Sequence, residues 1–377
     1  MNAVQIPSPL PYLAEIPDPR EYLKTEHEWE DLMLMSLMAL GSGRTNILAI
    51  AQWIEDERKY LLNTLKIRNR YGERKLPAQA TVYRFFWFLD AELEAMSAAM
   101  LAWGRDVLRA VGREETLAVA ADGKHLRGTR RGRKGEEALV FLSALVQGLG
   151  LSLGGTAVTT TEAQAAEGLL MRLARMEELG VDWLITGDAG LTSKALAQKP
   201  WSKRGLPLRG QGQPERPQTP DRVAFAEYPP GPADQHLHHE VRSGQLWVWT
   251  LSMAPMPQTL SGFAASTYAL RMHRHITHKS TGEVSEETDY AISCLRRTPR
   301  AFYALWRGHW EVENRLHHKR DTVFGEDASR TRKGAAGMMY LRDVVLNLLH
   351  LNHRPALRST RHFSANTHDL YRFLSGS

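Results

Sequence analysis

Apolar positions in the first third of the chain recur at helical spacing. Leu32, Met35, Leu37, Met38 and Leu40 form one face, and Ile47, Ile50, Trp53 and Ile54 continue the period. Pro77 to Phe88 interleaves bases and aromatics, among them Tyr83, Arg84, Phe85, Phe86 and Trp87, and Asp90 opens a further helix through Leu101. No strand alternation interrupts Glu28 to Val111, so helices are predicted throughout. From Glu115 the texture changes. Thr116 to Asp122 is a short apolar run ending in an acid, and Ala138–Gln147 and Leu149–Thr160 read as strands with Gly148, Gly150, Gly154 and Gly155 as turn and bulge residues. Glu162 to Leu179 reads as a helix stopped by Gly180. Val181 to Thr186 is another strand, followed by Gly187 and Asp188, and Thr192 to Gln198 is a helix halted by Pro200.

Three strands, a helix, a strand and a helix form the front half of an RNase H-like α/β fold, whose sheet presents acids at strand ends. The expected layout is an N-terminal helical domain over 1–112, the first part of the RNase H-like domain over 113–199, a proline-rich β/loop insertion over 200–265, the second part over 266–355, and a basic, poorly ordered tail over 356–377. Tyr268–His275 and Glu287–Leu295 are the late strands. Ala301–Arg320 and Gly337–Asn352 are the last long helices.

Bulk properties narrow the class. Of 377 residues 43% are apolar and 24% charged, which is ordinary for a globular protein. The longest apolar stretch, Leu32 to Leu40, is far short of the roughly 20 residues that span a bilayer. The first residues are rich in Pro and acids rather than laid out as a signal peptide, so a cytoplasmic protein is expected. Cys294 is the single cysteine, which excludes an internal disulfide and a Cys-rich zinc site. His236, His238, His239, His273, His275 and His278 would need three converging ligands to hold zinc, and zinc is not expected. A net charge of +6 favours a polyanionic partner.

Three acids stand out. Asp122 and Asp188 each follow a β-rich run beside glycine or a small residue. Glu313 lies within a predicted helix whose spacing puts Trp306, His309, Trp310, Glu313 and His317 on one side. Phosphodiester transfer needs an activated hydroxyl and a stabilised leaving oxygen, and two Mg²⁺ ions held by carboxylates serve both. Without cations, two carboxylates about 4 Å apart repel by up to ~4 kcal/mol at an effective dielectric near 20. Taken singly, each acid also reads as a surface turn or solvated helix residue. Arg127, Arg130, Arg131, Arg133 and Lys134 follow the first acid; Arg320, Arg330, Arg332 and Lys333 follow the third. Each set is either a phosphate grip or a solvated basic turn. Asp321, Glu326 and Asp327 read as ion-pair or capping residues. Lys66, Arg68, Arg70, Arg74 and Lys75 add a basic stretch among the N-terminal helices.

Longer words carry a family resemblance from about Ile16 to Asn352. Ala120 to Gly128 is similar to "IDGKTLRGS", Ile185 to Ala189 to "TIDAM", and Leu206 to Pro214, with Arg209, to "LALKGNQP". Arg307 to His317 resembles "RGHWGIENSLHW", and Asp321 to Gly334 resembles "DVVFREDASRIRKG". The chain resembles the ISAs-type family of bacterial insertion-sequence transposases, which includes the H-repeat-associated proteins. That resemblance implies a DDE transposase with Asp122, Asp188 and Glu313 as catalytic, metal-binding residues for Mg²⁺ or Mn²⁺, two ions in all. It implies double-stranded DNA as partner, both transposon ends and target, a homo-oligomeric synaptic complex, and end recognition by the N-terminal helices. Candidate DNA contacts are Lys124, Arg127, Arg130, Arg131, Arg209, Arg307, Asn314, His317, Arg320, Arg330, Arg332 and Lys333. The chain departs from the family at His125, His318, Gly187, Gly190 and the proline-rich stretch. A catalytically silent DNA-binding derivative, or a nuclease that cuts without joining, is therefore the alternative.

Overall fold

Asn46 is extended (φ −147°, ψ 167°), and its side chain accepts a hydrogen bond from the Ala49 amide at 2.9 Å, so a helix starts at Ile47. Local logic of this kind sets the N-terminal helices of the computed structural model, which describes residues 5–113, 116–130, 138–158, 161–177, 183–187, 208–210, 220–261 and 266–376. The helices are α1 (Leu10–Ala14), α2 (Trp29–Gly41), α3 (Ile47–Asp56), α4 (Arg58–Asn63), α5 (Gln79–Leu89) and α6 (Leu93–Ala110). Met35, Leu37, Met38 and Leu40 of α2 are wholly buried, as befits a helix apolar on most sides.

In this α/β fold the described strands form one sheet of mixed parallel and antiparallel pairing: β1 (Leu117–Leu126), β2 (Leu139–Val146), β3 (Leu151–Val158), β4 (Trp183–Gly187), β5 (Leu208–Gly210), β6 (Gln235–Arg242), β7 (Gln245–Pro255), β8 (Tyr268–His278) and β9 (Val284–Ser293). Their order is β3-β2-β1-β4-β5-β9-β8-β7-β6. β1 to β3 are antiparallel, β4 runs parallel to β1, and β5 parallel to β4. β9 to β6 continue as an antiparallel meander. β6 and β7, which the sequence places within an insertion, hydrogen-bond into this same sheet.

Two apolar cores flank it. One joins α2 to α6 with β1 to β3, α7 (Glu162–Glu177) and a helix further along, Ala335–Leu351. The other packs Trp249, Leu251, Leu270 and Met272 of β7 and β8 against Phe302, Tyr303 and Trp306. A short helix, α8 (Pro220–Glu227), covers a third patch through Ala224 and Phe225.

Three expectations change. β1 does not stop at Asp122 but runs to Leu126, because β2 pairs with it through Leu126↔Leu139 after β4 has ended at Gly187. The long helix over 301–320 is three pieces: α9 (Pro299–His309), a π turn (Val312–His317) and α10 (His318–Phe324). The C-terminal segment is ordered. α12 (Ala356–Ala365) and α13 (Thr367–Ser375), which follow α11 (Ala335–Leu351), bury Phe363, Leu370 and Leu374, an apolar period that the surrounding basic residues obscure. The helix predicted over 192–198 lies outside the described residues.

Candidate active site

β1 and β4 set the geometry. Their parallel register ends with Ala121 opposite Gly187, and in the sequence an acid follows each of these residues, Asp122 and Asp188. Asp188 lies outside the described residues, but one peptide bond joins it to Gly187, and consecutive Cα atoms are about 3.8 Å apart. The end of β4 is anchored. Thr186 Oγ1 accepts from Gln147 Nε2 at 2.9 Å and lies 2.9 Å from His309 Nδ1, the first contact part-buried and the second buried. A Cβ on Gly308 would run into the Gln147 amide and push it away from Thr186.

Asp122 faces the π turn. Its Oδ2 is 3.2 Å from His317 Nδ1, and its side chain is 15% exposed. Burial alone would raise the pKa of this carboxyl. The hydrogen bond and charge of His317, the charge of His309 and the Gly123 amide outweigh burial and hold it below the usual carboxylate range. Asp122 is therefore an anion at neutral pH. Among the described residues the other imidazole nitrogen of His317, Nε2, is buried without a hydrogen-bond partner. Leaving such an atom dry costs about 1–3 kcal/mol unless something fills the space.

The π turn decides which residues face out. Val312 and Leu316 enter the core, Glu313 and Asn314 are exposed, and His317 turns back to Asp122. A π turn adds a residue to the helical repeat, and such turns concentrate at functional sites. Glu311 and Arg315 brace it from the side: Glu311 accepts from the Gly148 amide at 2.9 Å, and Arg315 donates to the Gly148 and Leu149 carbonyls. Glu313 opens onto a groove of about 760 Å³ that it shares with Arg242, Trp247, Arg274, Arg307, Trp310 and Asn314.

The predicted contacts have different fates. Lys124 is buried, its Nζ 2.5 Å from Asp321 Oδ1, 3.3 Å from Glu326 Oε2 and 3.2 Å from the His317 carbonyl. Arg320 is fully buried, paired with Asp343 through Nε at 2.8 Å and Nη2 at 3.1 Å. Their expected role as DNA contacts is corrected: in this structure both are engaged instead in an internal ion lattice. Glu326 joins that lattice through Arg342 at 3.0 Å. Burial would raise its pKa, but Arg320, Arg342 and Lys124 hold it low. The reading of Asp321, Glu326 and Asp327 as ion-pair residues agrees with these contacts, Asp327 lying 3.8 Å from Arg127.

Arg127, Arg130, Arg330 and Lys333 are exposed, and Arg332 is half-buried. Arg307 is half-buried, forked onto both oxygens of Glu240 at 3.3 Å and stacked 4.4 Å from the Trp249 ring. Arg131 lies outside the described residues. Arg209 sits in β5 opposite Ala291, and its side chain is not described. Sequence reasoning missed the Gln147–Thr186–His309 chain and the Trp247–Trp249–Trp310 wall. The first joins residues distant in sequence. The second had a legible signal in the alternating Trp247 and Trp249.

Comparison with known proteins places these residues in context. Residues 10–104, spanning α1 to most of α6, match the family described as DDE_Tnp_1-associated. The chain is 24% identical to the H repeat-associated putative transposase YhhI of Escherichia coli K12, over 90% of this chain and 89% of that protein. It is 25% identical to the putative protein YbfL of the same strain, again over 90% and 89%. It is 27% identical to the putative transposase YncI of Escherichia coli O157:H7, over 92% and 88%. A cryo-EM structure of a piggyBac transposase synaptic complex with hairpin DNA covers 99% of this chain and 79% of that one at 10% identity, with a TM-score of 0.39, a likeness too slight to argue from. The resemblance to the H-repeat-associated type read from the sequence is borne out.

Proposed function

For a chain akin over most of its length to H-repeat-associated insertion-sequence transposases, we propose a DDE-type DNA transposase that cuts transposon ends and joins them to target DNA, with Asp122, Asp188 and Glu313 as the catalytic carboxylates. The observation that carries this is the meeting of Asp122, the end of β4 and the π turn. The β1–β4 register sets Asp122 next to the end of β4, which Asp188 follows in sequence, and the His317–Asp122 contact brings in the segment bearing Glu313. The strand order β3-β2-β1-β4-β5, with β4 and β5 parallel to the first strand, supports an RNase H-like reading of this half.

Carboxylates of this kind suit a divalent cation. Asp122 is ionised and offers a hard oxygen donor, and Glu313 is exposed on the groove; among the described residues no three such ligands stand together, and Asp188, which lies outside them, would be the third. Bound by these carboxylates, Mg²⁺ or Mn²⁺, as two ions, would favour the attacking hydroxyl and the leaving oxygen of an in-line displacement. The chain itself does the rest. His317 orients Asp122 and keeps it charged. Gln147 and His309 fix Thr186, and so the end of β4. Arg127, Arg130, Arg330 and Lys333 offer cations to the phosphates; in the groove Arg307 offers a further cation and Asn314 a neutral amide for hydrogen bonding. Holding two ends together calls for at least two chains, on DNA in the cytoplasm.

Asp122→Asn, Asp188→Asn and Glu313→Gln should each abolish metal-dependent cleavage of end DNA while duplex binding stays measurable. Full cleavage by any of them would end the assignment for that residue. A wild-type chain that binds its ends but makes no cut with Mg²⁺ or Mn²⁺ would instead be the catalytically silent binder.

A further inference from the structure

The outer face of α5 has no role in the site just described, yet it is built unlike ordinary surface. Tyr83 is 44% and Trp87 53% exposed, one helical turn apart, with exposed Arg84 beside them. No acid occurs between Gln79 and Leu89. The nearest, Asp90, is committed elsewhere: its carboxylate accepts from the Gly334 amide at 2.5 Å and the Gly337 amide at 2.9 Å, capping α11. The inner face is locked by the same contact. Phe85, Phe86 and Leu89 are buried, and a Cβ on Gly334 would stand 2.6 Å from Phe86.

Cations reach this face from the family word after Glu313. Lys333 Nζ lies 3.9 Å from the centre of the Trp87 ring. Arg330 is exposed, and among the described residues neither it nor Arg84 has an ion-pair partner. The turn that carries Arg330 packs on Arg127–Thr129, where Gly128 leaves no room for a Cβ before the Ser329 carbonyl. Arg127–Thr129 directly continues β1, the strand of Asp122. One basic and aromatic surface therefore runs from the acid site to α5 over rigidly packed elements.

We propose that the outer face of α5, with Lys333 and Arg330, is a docking surface for the duplex DNA that flanks the cut. This rests on the reading of the acid site as one that acts on DNA. Eleven residues make a helix about 16 Å long, enough to lie along a groove or across a backbone. Arg84, Arg330 and Lys333 contact phosphates; Tyr83 and Trp87 pack against sugars and bases. The absence of acids and the chain's net charge of +6 favour a polyanion over another protein face.

The test uses the full chain and a labelled random-sequence duplex, since phosphate contacts carry no sequence information. Binding is measured across a salt series for wild type, the Arg84→Gln/Lys333→Gln double variant and Trp87→Ala. The double variant should bind roughly tenfold or more weakly near physiological salt, and its slope of log affinity against log salt should be shallower by about 2, close to one unit per lost phosphate contact. Trp87→Ala should weaken binding with little change in slope. Unchanged thermal transitions would show that the folds are intact, as expected of exposed positions. Wild-type affinity and slope in the double variant overturn the proposal. So does a loss of self-association with DNA affinity intact, which would make this a protein interface. If wild type binds and cuts DNA while the variants bind as tightly, only the α5 surface falls; if wild type binds no duplex, the reading of the acid site falls as well.

Discussion

Arg320 and Arg307 come from one short stretch of chain and end in opposite settings. Arg320 lies in a buried lattice beside β1 to β3, with Asp343, Ser143, Glu326 and Lys124 around it, and Asp343 is further held by Ser152 at 2.8 Å. Arg307 lies in the open groove beside β7 and β8, with Glu240 and two tryptophans. Its neighbour Arg274 pairs with Glu287 and Asp289. The contacts are chemically alike, but desolvation separates them. A buried arginine cannot release its carboxylate without stranding a charge, so the lattice fixes the fold. A half-exposed arginine can exchange a carboxylate for a phosphate at little loss, so the groove remains open to a ligand.

The sharpest way to break this contrast is Asp343→Ala, which strands Arg320 in the interior. It should destabilise the protein by about 3–5 kcal/mol in urea unfolding, and a loss below about 1 kcal/mol would deny the lattice its role.

Acid titration probes the same half. Burial outweighs the Nδ1 contact to the Gly150 carbonyl and pushes His350 down to about 4, from 6.5 when unfolded. The folded state thus binds fewer protons than the unfolded one between these values. The contribution is complete above about pH 6.5 and is lost as pH falls toward 4, by up to ~1.4 kcal/mol per unit. His350→Gln should flatten that slope; an unaltered pH profile would show that His350 is not its source.

Glycines compare the regions through the backbone. Gly334 has φ +86° and presses on Phe86, whereas Gly244 has φ +76° in the β6–β7 turn with open space around it. Gly334→Ala should therefore cost more than Gly244→Ala, which carries only the left-handed backbone penalty of about 1–2 kcal/mol. Equal shifts in the thermal transition would mean that the α5–α11 contact yields easily. The smallest change is expected from Glu240→Gln: at most about 1 kcal/mol of stability, together with tighter duplex binding, because Arg307 is released. A large stability loss there would place the groove pairs with the lattice.

Much of the site could be read in the chain. Asp122 beside Gly123, and the word from Arg307 to His317, pointed to the segments that meet. The π turn could not be read, because an extra residue in a helical turn follows from how Val312 and Leu316 seat in the core, not from the propensity of either. Nor could the fate of the cations. Lys124 and Arg330 look equally basic on paper, yet one is enclosed by Asp321 and Glu326 while the other faces solvent.

The sequence by itself determined most element types and the kinship, and nominated three acids, because periodicity and motif are properties of neighbours along a chain. Only the tertiary structure decided that β1 outruns β4 at Asp122, that His317 holds that carboxylate charged, and which arginines are walled in. Those outcomes depend on which distant segments exclude water from one another, and burial belongs to the packed assembly, not to any residue in it.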